Sequence, residues 1–211
     1  MIRQLDRVEA RVLGSLLEKQ QATPENYPLT MNALLLACNQ KTSREPVTDY
    51  SETDIEDALA RLRQEKLVWK VTGARVPRWD HNFEGVLTLS REAKAIFTVL
   101  LLRGPQTLAE LRTRTERLHA FESPDEIETT LRVLAGREEP LVRQLERMPG
   151  QKETRWAHLL CGEPEIPTFD EAPARSRQHA GSGLEDRLAA LEATVERLES
   201  ELLELKRVLG A

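Results

Sequence analysis

Apolar positions along the first 80 or so residues fall at helical spacing and then switch to strand spacing. Val12, Leu13, Leu16 and Leu17 form a stripe behind Asp6 and Glu9, which stand in the spacing of a capping box, so a helix is expected there. The polar stretch over residues 20–28 contains Thr23-Pro24 and Tyr27-Pro28, which bar a continuing helix. A second helix is expected over about 30–40, with Leu34, Leu35, Ala37 and Cys38 as its apolar surface. After a loop over 41–50, broken by Pro46, a third helix starts at Ser51 or Thr53 and buries Ile55, Leu59 and Leu62. The period then changes: residues 67–71 and 74–79 flank Thr72-Gly73 and read as a hairpin. Three helices closed by a hairpin is the element order of a winged-helix domain.

The same text then returns. Arg78-Trp79-Asp80-His81 recurs as Arg155-Trp156-Ala157-His158, and Thr30 with Leu34 as Thr107 with Leu111, both shifted by 77. The stripe Val12, Leu13, Leu16, Leu17 recurs as Ile96, Phe97, Leu100, Leu101, shifted by 84, and Ile55, Leu59, Leu62 as Ile127, Leu131, Leu134, shifted by 72. Four anchors in one order imply two copies of a small fold with loops of different length between them. Start signals for the second copy's helices stand at Ser90, at Thr107 with Glu110, and at Ser123-Pro124 with Glu126. Its hairpin is expected from residues 141–145 and 154–158 around Pro149-Gly150.

Residues 162–183 hold Pro164, Pro167, Pro173 and a Gly-Ser-Gly, a composition that reads as a flexible linker. Beyond it Leu184, Leu188, Leu191, Val195, Leu198, Leu202, Leu205 and Leu209 alternate spacings of four and three, a heptad seam. With Leu188 and Val195 at a, the pairs Arg187–Glu192 and Glu201–Lys206 attract across a parallel homodimer, while leucine at most a and d positions leaves a trimer open. The expected fold class is therefore α+β, mainly helical: winged-helix domains over 1–83 and 84–161, a linker over 162–183 and a coiled-coil helix over 184–211.

Charge changes the picture only in the tail. Residues 1–83 carry 12 Lys/Arg and 12 Asp/Glu, residues 84–161 again 12 and 12, and residues 162–211 carry 6 against 11, which places the net charge of −5 there. Neither copy has the bulk positive charge of a strong nucleic-acid binder, so such binding must come from local patches. No apolar run is long enough to span a bilayer. Two distant cysteines and a charged amphipathic opening fit a reduced cytoplasmic setting, without membrane attachment.

The first copy is the elaborated one. It has seven more residues between its first two helices (84 − 77 = 7) and five more before the third (77 − 72 = 5). Loops added to a rigid scaffold tend to gather binding residues. Lys41 and Arg44 stand in the second of these loops and Asn39 and Gln40 just before it; the competing role of Asn39, Gln40 and Arg44 is to satisfy backbone groups and brace the domains. For nucleic acid the wings suit phosphate contact through Lys70, Arg75, Arg78, Lys152 and Arg155. The third helices do not, since they open with Glu52, Asp54, Glu56, Asp57 and with Asp125, Glu126, Glu128. Four histidines form no ligand cluster, and no phosphate loop, nucleophile elbow or metal string appears, so neither a catalytic site, a cofactor nor a metal is expected.

The runs Glu9-Ala10-Arg11-Val12-Leu13-Gly14, Thr23-Pro24-Glu25-Asn26-Tyr27-Pro28-Leu29 and Ala37-Cys38-Asn39-Gln40-Lys41-Thr42-Ser43-Arg44-Glu45-Pro46-Val47 resemble the signatures of the YceH-like family. So do Leu101-Leu102-Arg103-Gly104-Pro105-Gln106-Thr107 and Gly150-Gln151-Lys152-Glu153-Thr154-Arg155. These are bacterial proteins of unassigned function, and the resemblance implies a tandem winged-helix fold. Together the readings lead to a dimeric DNA-binding, regulator-like protein. Lys41, Arg44, Lys70, Arg75, Arg78, Lys152 and Arg155 would lie on phosphate, and Asn39 and Gln40 would read bases or a partner. The alternative is a protein-interaction adaptor that binds no nucleic acid.

Overall fold

The computed structural model describes residues 3–73, 76–147 and 153–164. The chain runs α1 (Arg7–Ala22), β1 (Leu29–Thr30), α2 (Met31–Cys38), α3 (Glu52–Gln64), β2 (Val68–Val71), β3 (Arg78–His81) and a short α4 (Phe83–Leu87). It continues through α5 (Arg91–Arg103), α6 (Leu108–Thr115), α7 (Pro124–Ala135), β4 (Val142–Gln144) and β5 (Trp156–His158). The heptad leucines from Leu184 to Leu209, most of the expected linker, Arg75 and Lys152 lie outside the described residues.

Local chemistry sets the helix starts. Asp6 accepts the Glu9 amide while the Glu9 carboxylate takes the Asp6 amide, a closed capping box for α1. The third helix starts at Ser51, whose box partner is Asp54, so the Thr53–Glu56 pair is not the cap. Ser90, Thr107 and Ser123 cap α5, α6 and α7, with Pro124 at the first position of α7. The 3₁₀ turn at Pro24–Asn26 follows α1 directly, because Thr23-Pro24 stops the helix at Ala22.

Both tryptophan-bearing stretches are strands. The sheet of the first copy has the order β1-β3-β2, antiparallel, with Leu29 opposite Trp79 and Val68 opposite His81. The two-residue strand β1 is too short to leave a period in the sequence. The observed register puts the hairpin reversal beyond Gly73 rather than at Thr72-Gly73, and β3 at residues 78–81 rather than 74–79. Packing decides this, because a one-residue slip would turn the buried Val68 and His81 outward. In the second copy β4 pairs with β5, and Gln106 bridges to Trp156, the counterpart of Leu29 with Trp79 shifted by 77.

The two copies pack as one compact unit through Pro164. α1 lies against α5, so the stripe Val12, Leu13, Leu16, Leu17 and its repeat Ile96, Phe97, Leu100, Leu101 belong to one buried cluster. Gly14 permits the approach: a Cβ there would sit 2.9 Å from Leu102 Cδ2 and 3.0 Å from Leu101 Cβ. Each first helix is buried around most of its circumference, which one small copy cannot cover by itself.

Candidate functional site

The repeated Arg-Trp-x-His strand has the same anchorage in both copies. Arg78 Nη1 donates to the Pro28 carbonyl at 2.7 Å, and Arg155 Nη1 to the Pro105 carbonyl at 2.9 Å, partners again 77 apart. Arg155 also pairs with Glu110 at 2.7 Å, a carboxylate that serves the α6 capping box. Both arginines, expected on phosphate, are thus engaged within the fold. Lys70 is exposed on β2, its ammonium 5.8 Å from the Trp79 ring centroid.

The elaborated loop over residues 41–50 is organised inward. Arg44 has no solvent-exposed side-chain surface; it pairs with the equally buried Glu18 at 2.6 Å and donates to the Ala37 carbonyl at 2.8 and 3.0 Å. The expectation of a phosphate contact at Arg44 is corrected by this placement, since its donors are spent on buried acceptors. A buried glutamate within the α1 stripe demands a cation, and that demand outweighs solvation of the loop arginine. Burial by itself would raise the Glu18 pKa, but the Arg44 hydrogen bond and the charges of Arg44, Arg117 and Lys19 hold it below the usual carboxylate range. Arg11, also buried, donates to the carbonyls of Cys38 and Pro46 and to Thr48 Oγ1.

Asn39 brackets the backbone of Tyr50, donating to its carbonyl and accepting its amide, both at 2.8 Å. Gln40 receives Lys19 Nζ at 3.2 Å and donates to Thr42. Lys41 alone of this group is exposed. The loop then reaches the second copy: the Glu45 amide donates to the Leu102 carbonyl at 2.9 Å, and its carboxylate meets Arg103 at 2.9 Å and Arg114 at 3.5 Å. Arg117 pairs with Glu18 from the same side.

The region at the end of α1 braces in the same way. Gln20 Oε1 accepts Lys94 Nζ at 3.1 Å and lies 2.8 Å from His81 Nε2, while Gln21 donates to Thr98 at 2.9 Å. The bracing role therefore accounts for Asn39, Gln40 and Arg44 as placed. Sequence reasoning missed Glu18, Arg11 and Glu45. The available signal was charge in the wrong place, since Arg11 and Glu18 interrupt an apolar stripe.

What remains exposed differs between the hairpins. The first presents Trp69, Val71 and Val76, at 47 %, 39 % and 51 % exposure, together with Lys66 and Lys70. Their counterparts in the second copy are Arg143, Leu145 and Glu153, given the registers Val68↔His81 and Val142↔His158. The first turns of α3 and α7 carry Glu52, Asp54, Asp125 and Glu126. Burial depresses both strand-end histidines, His81 and His158, to about 4, so they are neutral at pH 7. Cys38 is buried, and desolvation pushes its thiol up to about 11, which removes it as a nucleophile at neutral pH. Among the described residues no group of three or more His, Cys, Asp and Glu is placed to hold a metal, and no helix is long and apolar enough to cross a membrane.

Comparison with known proteins places this architecture among uncharacterised bacterial sequences. The family model described as "Protein of unknown function, DUF480" matches residues 5–151. A UPF0502 protein of Paraburkholderia phymatum is 47% identical over 212 residues, covering 99% of this chain and 91% of the relative. Another, from Chromobacterium violaceum, is 47% identical over 209 residues, covering 98% and 93%. One from Dechloromonas aromatica is 47% identical over 206 residues, covering 97% and 94%.

Proposed function

Because the chain belongs to the DUF480 family, whose function is unknown, we propose a role from its surfaces: a non-enzymatic protein-interaction module built from two winged helices. In this reading it is a cytoplasmic protein, akin to the YceH-like proteins, and the heptad over 184–211 joins two copies. The observation that carries it is the outer face of the first hairpin, where Trp69, Val71 and Val76 are exposed although the second copy has Arg143 and Glu153 at two of those positions. Tryptophan is enriched among interface hot spots, and neighbours such as the two valines would exclude water around it. The engagement of Arg44, Arg78 and Arg155 within the fold removes much of the cationic surface that phosphate contact needs.

The test is retention of a partner on the tagged full-length protein. A stoichiometric protein that is lost with Trp69→Glu, at unchanged melting temperature, supports the reading. Duplex DNA binding is the second reading, favoured by exposed Arg63, Lys66 and Lys70 along the end of α3 and β2. Random duplex retained at low salt, with affinity falling steeply as salt rises and lost in Lys66→Glu/Lys70→Glu, would replace the first reading with this one.

A further inference from the structure

The two sheets hold their repeated arginine on different terms. In the second copy Glu110, at the third position of α6, accepts the Thr107 amide at 2.9 Å and Arg155 Nη1 at 2.7 Å. Arg155 Nη2 lies 3.4 Å from its other oxygen, so one carboxylate closes the helix cap and ties down the strand. The shift of 77 gives Thr30, Arg78 and Ala33 as the first copy's counterparts (107 − 77 = 30, 155 − 77 = 78, 110 − 77 = 33). There the carboxylate is missing. Thr30 still caps α2 by accepting the Ala33 amide at 3.3 Å, but alanine cannot return a bond to the Thr30 amide.

Both donors that Glu110 satisfies in one copy are left open in the other. The Leu67 carbonyl accepts the Asn82 amide, so residues 78 and 80 turn their backbone groups to β2, and residue 79 turns its own to Leu29 of β1. The Thr30 amide therefore points away from β3. Arg78 donates through Nη1 to the Pro28 carbonyl, and no carboxylate pairs with it among the described residues. Directly opposite residues of an antiparallel sheet share a face, so Thr30, Arg78 and Val71 form one outer rung and Asp80 with Trp69 the next. The open donors and the exposed apolar side chains of the hairpin are thus one continuous surface.

We propose that this face docks an acidic segment of a partner protein, its carboxylate taken by Arg78 and the Thr30 amide and its apolar side chains laid over Val71 and Trp69. The inference rests on the interaction reading above and names the partner's chemistry. Charge complementarity fixes the occupant, because the second copy seats a carboxylate between the same two donors. A single guanidinium already oriented by Pro28 suits one carboxylate rather than a run of phosphates. Lys66 and Lys70, both exposed, add positive charge nearby. Asp80, whose Oδ1 accepts the Tyr27 hydroxyl at 2.6 Å, keeps the partner's acid off the Trp69 rung by like-charge repulsion.

The probes are acetyl-Leu-Ser-Glu-Ser-Leu-amide and its Gln and Lys analogues, titrated into the full-length protein while the amide resonances of Thr30, Trp69 and Val71 are followed. In an extended peptide the Glu and both Leu side chains share a face. Saturable shifts with the Glu peptide are expected, with about fivefold weaker binding of the Gln analogue and weaker binding still of the Lys analogue. With Arg78→Gln the Glu and Gln peptides should bind alike. Ala33→Glu rebuilds the second copy's capping box, so it should raise the melting temperature and weaken the Glu peptide about fivefold or more, with Trp69 untouched. No saturable shift, equal affinity for the Gln analogue, tighter binding of the Lys analogue, or unchanged binding or a lowered melting temperature in Ala33→Glu would overturn the inference. A stoichiometric protein kept by tagged Ala33→Glu but lost by Trp69→Glu would overturn it and leave the interaction reading standing. A protein kept by both variants would overturn both.

Discussion

Arg44 shows how a single residue is reassigned by its partner. An arginine between Ser43 and Glu45 in a polar loop reads as a surface cation, yet its guanidinium closes over Glu18, a residue 26 positions away. Removing one member of a buried ion pair leaves the other charge without compensation, so Arg44→Ala should cost about 3–5 kcal/mol of stability in denaturant unfolding. A change within about 0.5 kcal/mol, the range of ordinary surface substitutions, would place Arg44 at the surface instead. The histidines make a separate prediction. Both His81 and His158 fall from an ordinary 6.5 to about 4 on burial, so between those values the unfolded chain binds more protons than the folded one. Stability is therefore full above pH 6.5 and declines as pH falls towards 4, with each histidine contributing a slope of about 1.4 kcal/mol per pH unit within that window. His158→Leu should flatten the decline, measured as the denaturation midpoint at pH 7 and pH 5.

At the scale of elements, caps and stripes were legible and pairings were not. Helix starts at Asp6, Thr30, Ser90, Thr107 and Ser123 follow from side-chain chemistry that acts within three residues. The hairpin register, the short strand β1 and the helix α4 depend on what packs against them, and no local signal carries that. Gly14 belongs to this level. Its neighbours Leu101 and Leu102 lie on α5, so Gly14→Ala gains about 0.5–1 kcal/mol of helix propensity but forces a contact that costs about 1–3 kcal/mol. A net loss of about 1 kcal/mol in chemical denaturation is expected, and a net gain would show that α1 and α5 separate freely.

For the whole molecule, the braces from Gln20, Gln21, Glu45 and Arg117 and the shared α1–α5 cluster mean that the copies are mutually dependent. A fragment ending at residue 89 should lose near-ultraviolet circular dichroism and bind a hydrophobic dye, because it exposes the α1 face that α5 covers. A cooperative, native-like fragment would show that one copy suffices. The leucine seam makes its own prediction: Leu198→Asp should give a folded monomer by light scattering, and an unchanged mass would refute the pairing of copies through 184–211.

The duplication, the helix caps, the strand character of the tryptophan stretches and the apolar faces were determined by sequence, because each rests on spacing within a few residues or on a pattern stated twice. Tertiary structure alone decided which charges turn inward, that the added loops clasp the second copy, and that Arg155 meets the Glu110 carboxylate while Arg78 is held by a backbone carbonyl. Those outcomes depend on partners tens of residues apart, and a buried charge takes its meaning from the group that faces it.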